Sequence, residues 1–112
     1  MNTIKEFAAQ GIKNMGNAYG EVRHSEYHED TNTASVIFPN GWVASIIRSN
    51  DDPTKWSVAV CDYNGYFDWD VLKPFGTKKA TTKEGRTYDT GCVICDTEER
   101  VCEVLQGIKS FH

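Results

Sequence analysis

Nowhere in this 112-residue chain do apolar residues run on for the ~18 positions a membrane-crossing helix needs. The opening residues, Met1-Asn2-Thr3-Ile4-Lys5-Glu6-Phe7, hold no unbroken apolar stretch either, so no secretory leader is expected and the chain reads as cytoplasmic. The signatures of several large enzyme classes are missing too: there is no nucleophile elbow, phosphate-binding loop, dinucleotide fingerprint or HExxH. Charge of one sign is also scarce. Twelve Lys and Arg against sixteen Asp and Glu leave a net −4, too mild for a general nucleic-acid binder or for a mimic of a phosphate backbone. Internal repeats, linkers and low-complexity segments are lacking, so residues 1–112 read as a single domain with one modest core.

What is present concentrates in residues 33–71. Pro39-Asn40-Gly41-Trp42 and Tyr63-Asn64-Gly65-Tyr66 each place Asn-Gly between apolar runs, the strongest short-range hairpin cue. Two-residue turns there would pair Phe38 with Val43 and Ile37 with Ala44, and further on Cys61 with Asp68 and Val60 with Trp69. The first hairpin is then apolar on both faces, so that one face is covered and the other covered or offered to a partner. In the second, Trp56, Val58, Val60, Phe67, Trp69 and Val71 form a core face. Ser57, Ala59, Cys61, Tyr63, Tyr66, Asp68 and Asp70 form an opposite face of tyrosines and carboxylates suited to contacts.

The flanks read as cover for this sheet. Residues 3–18 form a helix capped by Asn2 or Thr3, with Ile4, Phe7, Ala8, Ile12 and Met15 as its apolar stripe. Residues 21–32 are an irregular edge strand or a loop. Residues 73–87 are loop-like and basic, 88–95 a last strand, and Asp96 or Thr97 caps a final helix whose stripe is Val101, Cys102, Leu105, Ile108 and Phe111. The predicted class is α+β: an antiparallel meander of four to five strands with an N-terminal and a C-terminal helix packed on it.

Cys92-Val93-Ile94-Cys95, with Cys61 and Cys102, has the composition of a zinc site. Strand residues three apart point to opposite faces, however, so ordinary buried thiols are the favoured reading and no cofactor is expected. His24 and His28, beside Glu26 and Glu29, read as a solvated segment. Asp68 and Asp70 share a strand face as a hydrolase pair would, but no basic or histidine partner can be identified for them. Lys78, Lys79, Lys83 and Arg86 form a basic loop able to grip phosphate or an acidic protein surface, though such loops are commonly just solvated.

The run Phe38-Pro39-Asn40-Gly41-Trp42-Val43-Ala44-Ser45-Ile46-Ile47-Arg48, followed by the strand at Trp56, resembles an FPNG-type hairpin found in small uncharacterised bacteriophage and prophage accessory proteins. Trp42-Val43 stands where those proteins carry Tyr-Gly. The resemblance covers the middle of the chain and transfers no catalytic residue; it implies a phage or prophage origin. The combined expectation is a non-enzymatic binding protein, in the manner of an anti-CRISPR inhibitor of a host defence system or host enzyme. Its partner is expected to be a host protein or complex, with a homodimer possible and nucleic acid or membrane not expected. Trp42, Tyr63, Tyr66, Asp68, Asp70, Lys78 and Lys79 are the expected contacts. A small zinc protein on the four cysteines is the alternative.

Overall fold

Both helices start at threonine caps. The Thr3 hydroxyl accepts from Glu6 N–H at 3.1 Å while the Glu6 carboxylate accepts from Asn2 N–H at 3.2 Å, so two otherwise unpaired donors are satisfied reciprocally. Bonds from Asn2 and Thr3 hold the Glu6 carboxyl below its ordinary range. At the second helix, the Thr97 hydroxyl accepts from Arg100 N–H at 3.1 Å. Glu98 then reaches out of that first turn to accept the Ile4 N–H at 2.9 Å, tying the two helix N-termini together across 94 positions of sequence.

The computed structural model describes residues 2–14, 25–62 and 64–111. Helices α1 (Ile4–Asn14) and α2 (Glu98–Lys109) cover one face of a five-stranded antiparallel sheet. Its strands are β1 (Glu26–His28), β2 (Thr33–Ile37), β3 (Val43–Arg48), β4 (Trp56–Cys61) and β7 (Val93–Cys95), in the spatial order β1-β2-β3-β4-β7. Between β4 and β7 the chain leaves the sheet. It passes a 3₁₀ turn at Lys73–Phe75 and forms a separate two-stranded arm, β5 (Lys79–Thr81) with β6 (Thr87–Asp89). The α+β class and both terminal helices are thus as the sequence predicts. The edge strand β1 resolves the strand-or-loop alternative within residues 26–28, and the expected helix end at residues 15–18 lies outside the described residues.

The helix-facing side of the sheet is the core. Val36, Ala44, Ile46, Val58, Val60, Val93 and Cys95 project from it onto Phe7 and Ala8 of α1 and Val101, Leu105 and Ile108 of α2, all essentially withdrawn from solvent. At ~25 cal/mol per Å² of apolar surface, burial of these side chains is the main force holding the sheet to its helices. Gly11 lets α1 approach this closely: a Cβ there would stand 2.2 Å from Ser25 Oγ, whose hydroxyl donates to the carbonyls of Ala8 and Ser35. Ile12, expected on the apolar stripe, is instead 51% exposed.

The Asn-Gly turns are one residue longer than expected. Phe38 N–H bonds Trp42 C=O at 2.9 Å and Gly41 N–H bonds Phe38 C=O at 3.0 Å, and the ladder pairs Ile37 with Val43 and Val36 with Ala44. Asp62–Tyr66 repeats this pattern at 2.9 and 3.0 Å, and Thr82–Arg86 at the tip of the arm repeats it at 2.8 and 3.0 Å. All three are three-residue loops whose last residue is a glycine at φ 92°, 88° or 82°, a backbone region closed to most side chains. The extra residue shifts the register by one and so turns over the second strand of each hairpin. Ala44 and Ile46 therefore face the core, while Val43, Ser45 and Ile47 join Ser35 and Ile37 on the outer face. Phe67 pairs with Cys61 on that outer face, and neither Phe67 nor the 56%-exposed Trp69 belongs to the core, as two-residue pairing had required. The expected strand over residues 88–95 is likewise divided at Gly91 into β6 and β7.

Candidate functional site

Strand alternation fixes what the outer face carries. Row by row across β3, β4 and β7 it presents Ile47, Ser57 and Ile94, then Ser45 and Ala59, then Val43 and Cys61 with Phe67 beside them. On these three strands the described side chains are small or separated, while Ile37 on β2, in the row of Val43, is as withdrawn from solvent as the core opposite. Phe67 and Trp69 stack edge to face at 4.6 Å and lean on Gly91, where a Cβ would lie 2.9 Å from the Phe67 ring. Tyr66 precedes them, 73% exposed.

The arm stands off this same face. Backbone bonds tether it, Lys78 N–H to Cys92 C=O at 2.8 Å and Thr90 N–H to Lys78 C=O at 2.9 Å. An ion pair between Lys78 and Asp51 adds a side-chain tether. Asp89 closes the base: its carboxylate accepts from Lys79 Nζ, Thr77 Oγ1 and Gly91 N–H, each at 2.8 Å, which holds its pKa far below the ordinary carboxylate value. Pairing of Ala80 with Tyr88 turns both inward, and between them and the sheet lies a groove of about 280 Å³. Ile47, Ser57, Cys92 and Ile94 line its sheet side. Ile47 remains 51% exposed and Tyr88 49%.

The expected contact residues are placed in different surroundings. Tyr66 is the most open large side chain among them, and Asp70 is exposed and paired with Lys73 at 2.8 Å. Asp68 folds back to accept the N–H groups of Asp70 and Val71, each at 2.8 Å, so its carboxylate shapes a turn instead of sharing a strand face with Asp70. Lys78 and Lys79 are engaged by Asp51 and Asp89. Trp42 is half-buried against the core, edge to face with Phe111 at 6.2 Å. Tyr63 lies outside the described residues, as does His24.

The four cysteines are free and divided by the sheet. Cys95 and Cys102 are buried on the helix side, where desolvation pushes both thiols up to about 11. Cys61 and Cys92 sit on the outer face, half-buried. Cys92 and Cys95 point to opposite faces, as strand geometry requires, and among the described residues no three His, Cys, Asp or Glu side chains gather as metal ligands would. Trp69, Tyr88 and Ile47 are absent from the expected contacts. Trp69 was assigned to the core by the register that the longer turn displaces, and Tyr88 sits in a strand too short for alternation to reveal its face.

Comparison with protein-family models, with characterised proteins and with solved structures gives no match. The outer face and its arm are therefore read on their chemistry alone.

Proposed function

We propose that this protein is a binding module that acts by protein–protein contact through its outer sheet face. One observation carries the reading. Trp69, 56% exposed, flanks the outer side that holds half-exposed Ile47 and Tyr88, whereas the other side of the sheet is covered by α1 and α2. Aromatic side chains left open on a rigid sheet are the usual anchors of protein interfaces, since they bury large area at little conformational cost. The FPNG-type hairpin extends the proposal: the partner is a host bacterial protein or complex, and the chain serves as a phage-encoded inhibitor of a defence system or host enzyme. That extension draws on the hairpin resemblance and small size.

Affinity capture from bacterial lysate, followed by mass spectrometry, tests the core of the reading. A partner held by the wild-type chain and lost from Trp69→Ala, with unchanged thermal unfolding, supports it. A partner retained by Trp69→Ala and by Ile47→Asp removes the outer face from consideration. Size-exclusion chromatography of the purified chain separates self-association from capture of another protein.

A further inference from the structure

The arm gives that surface a direction in charge. Residues 77–90 carry four of the chain's twelve cations and two of its sixteen carboxylates, a net +2 against −6 for the remainder. Two of these cations are engaged, Lys78 with Asp51 and Lys79 with Asp89. Among the described residues the Arg86 guanidinium has no ion-pair partner. Its position is set by the ladder: Ala80 opposes Tyr88, and the next step toward the tip brings Thr82 and Arg86 together through the Thr82 N–H bond to Arg86 C=O at 2.8 Å. Arg86 therefore shares a face with Ala80 and Tyr88, the face that closes the groove over Ile47 and Ile94.

Building on the binding role above, we propose that this groove takes a short extended segment of a partner protein that alternates aliphatic and acidic side chains. Aliphatic groups would lie between Ile47, Ile94 and Tyr88, and a carboxylate would meet Arg86 at the outer end. About 280 Å³ admits a few side chains of a strand-like peptide and is less than two turns of a helix, about 10–12 Å across with side chains, would fill. Guanidinium is the cation best matched to a carboxylate, which it grips with two parallel bonds.

The test is an NMR titration of the ¹⁵N-labelled full chain with three probes. They are a blocked octapeptide of alternating glutamate and valine, its lysine–valine counterpart, and a ten-residue oligothymidylate. Saturable shifts at Ile47, Ala80, Arg86, Tyr88 and Ile94 with the acidic peptide alone are expected. Arg86→Glu/Tyr88→Ala should weaken that binding about tenfold or more while leaving the unfolding midpoint within a degree or two. No shift at millimolar acidic peptide, equal binding of the lysine peptide, or tighter binding of the oligonucleotide each overturns the proposal. Its failure is separable from failure of the general reading: a lysate partner lost from Trp69→Ala but kept by Arg86→Glu/Tyr88→Ala refutes the groove and leaves the outer face standing.

Discussion

Replacing Asn40 should cost far more than replacing Asn64, although the two occupy the same position of the same turn. The Asn40 side-chain amide donates to Ile108 C=O at 2.8 Å and Phe111 C=O at 2.9 Å, and shares a longer contact with Lys109 C=O at 3.3 Å. Its carbonyl accepts the Trp42 N–H at 3.2 Å. The hairpin tip thus caps the C-terminal end of α2, whose last carbonyls have no partners within the helix. Two short amide bonds at about 1 kcal/mol each put Asn40→Ala at about 2 kcal/mol, the Ile108 carbonyl keeping its bond from Phe111 N–H at 3.1 Å. Asn64 is exposed, and its only hydrogen bond among the described residues runs from its backbone N–H to Asp62 Oδ1, so Asn64→Ala should stay within about 0.5 kcal/mol. Turn propensity cancels in the comparison. Urea unfolding followed by tryptophan fluorescence reads the difference: with a slope of about 1.5 kcal/mol/M, Asn40→Ala moves the midpoint down by about 1–1.5 M. Asn40→Asp should be worse at neutral pH, since it sets a carboxylate against the negative end of the helix, and should recover in part below about pH 4. Equal midpoints for the Ala variants at 40 and 64 would refute the capping argument.

Gly107→Ala, normally favourable within a helix by about 1 kcal/mol, should destabilise instead, because its Cβ would meet the Phe75 ring at 2.1 Å; thermal unfolding of Gly107→Ala alone and with Phe75→Ala reads the sign and its reversal. A thiol reagent at pH 8 should modify Cys61 and Cys92 in the native protein and reach Cys95 and Cys102 only on unfolding, as peptide mapping of the labelled chain would show; rapid native labelling of Cys95 contradicts the assigned burial. Because folding raises the two buried thiols to about 11, their contribution is intact below the ordinary thiol range and fades as pH climbs through it, so urea midpoints should drop above about pH 9. Asp89 has the opposite sign: its folded value is depressed, so its support of the arm is complete above about pH 4 and is lost on further acidification, visible as earlier amide exchange at Thr81 and Thr87 than in the sheet.

The elements that sequence made legible are those with long periods or strong punctuation. Thr97 with Glu98 and Glu99 announced α2, and its apolar stripe holds through Ile108, whereas Phe111, expected to continue it, lies past the helix end at Lys109 and is half-buried. Asn40-Gly41 and Asn64-Gly65 marked their reversals correctly but not their length, since the same dipeptide serves two-residue and three-residue loops; only the backbone bonds of Phe38 with Trp42 and of Asp62 with Tyr66 decide between them. That single residue sent Trp69 outward and Ile46 inward. The arm escaped notice for a different reason. Its strands are three residues each, rich in Thr and Lys, and its turn carries Glu84 before Gly85 where the other two carry Asn. Trp42 was legible as an aromatic at a hairpin but not as a packing residue, because its neighbour Phe111 stands 69 positions away.

The arm shares little of the buried interior. Its strands lean chiefly on one another, and its moorings are a few polar contacts at Lys78, Asp89 and Thr90. Changes of residue at its tip therefore leave the helices and sheet undisturbed, so this part of the chain can be rewritten to suit a different target at almost no risk to folding.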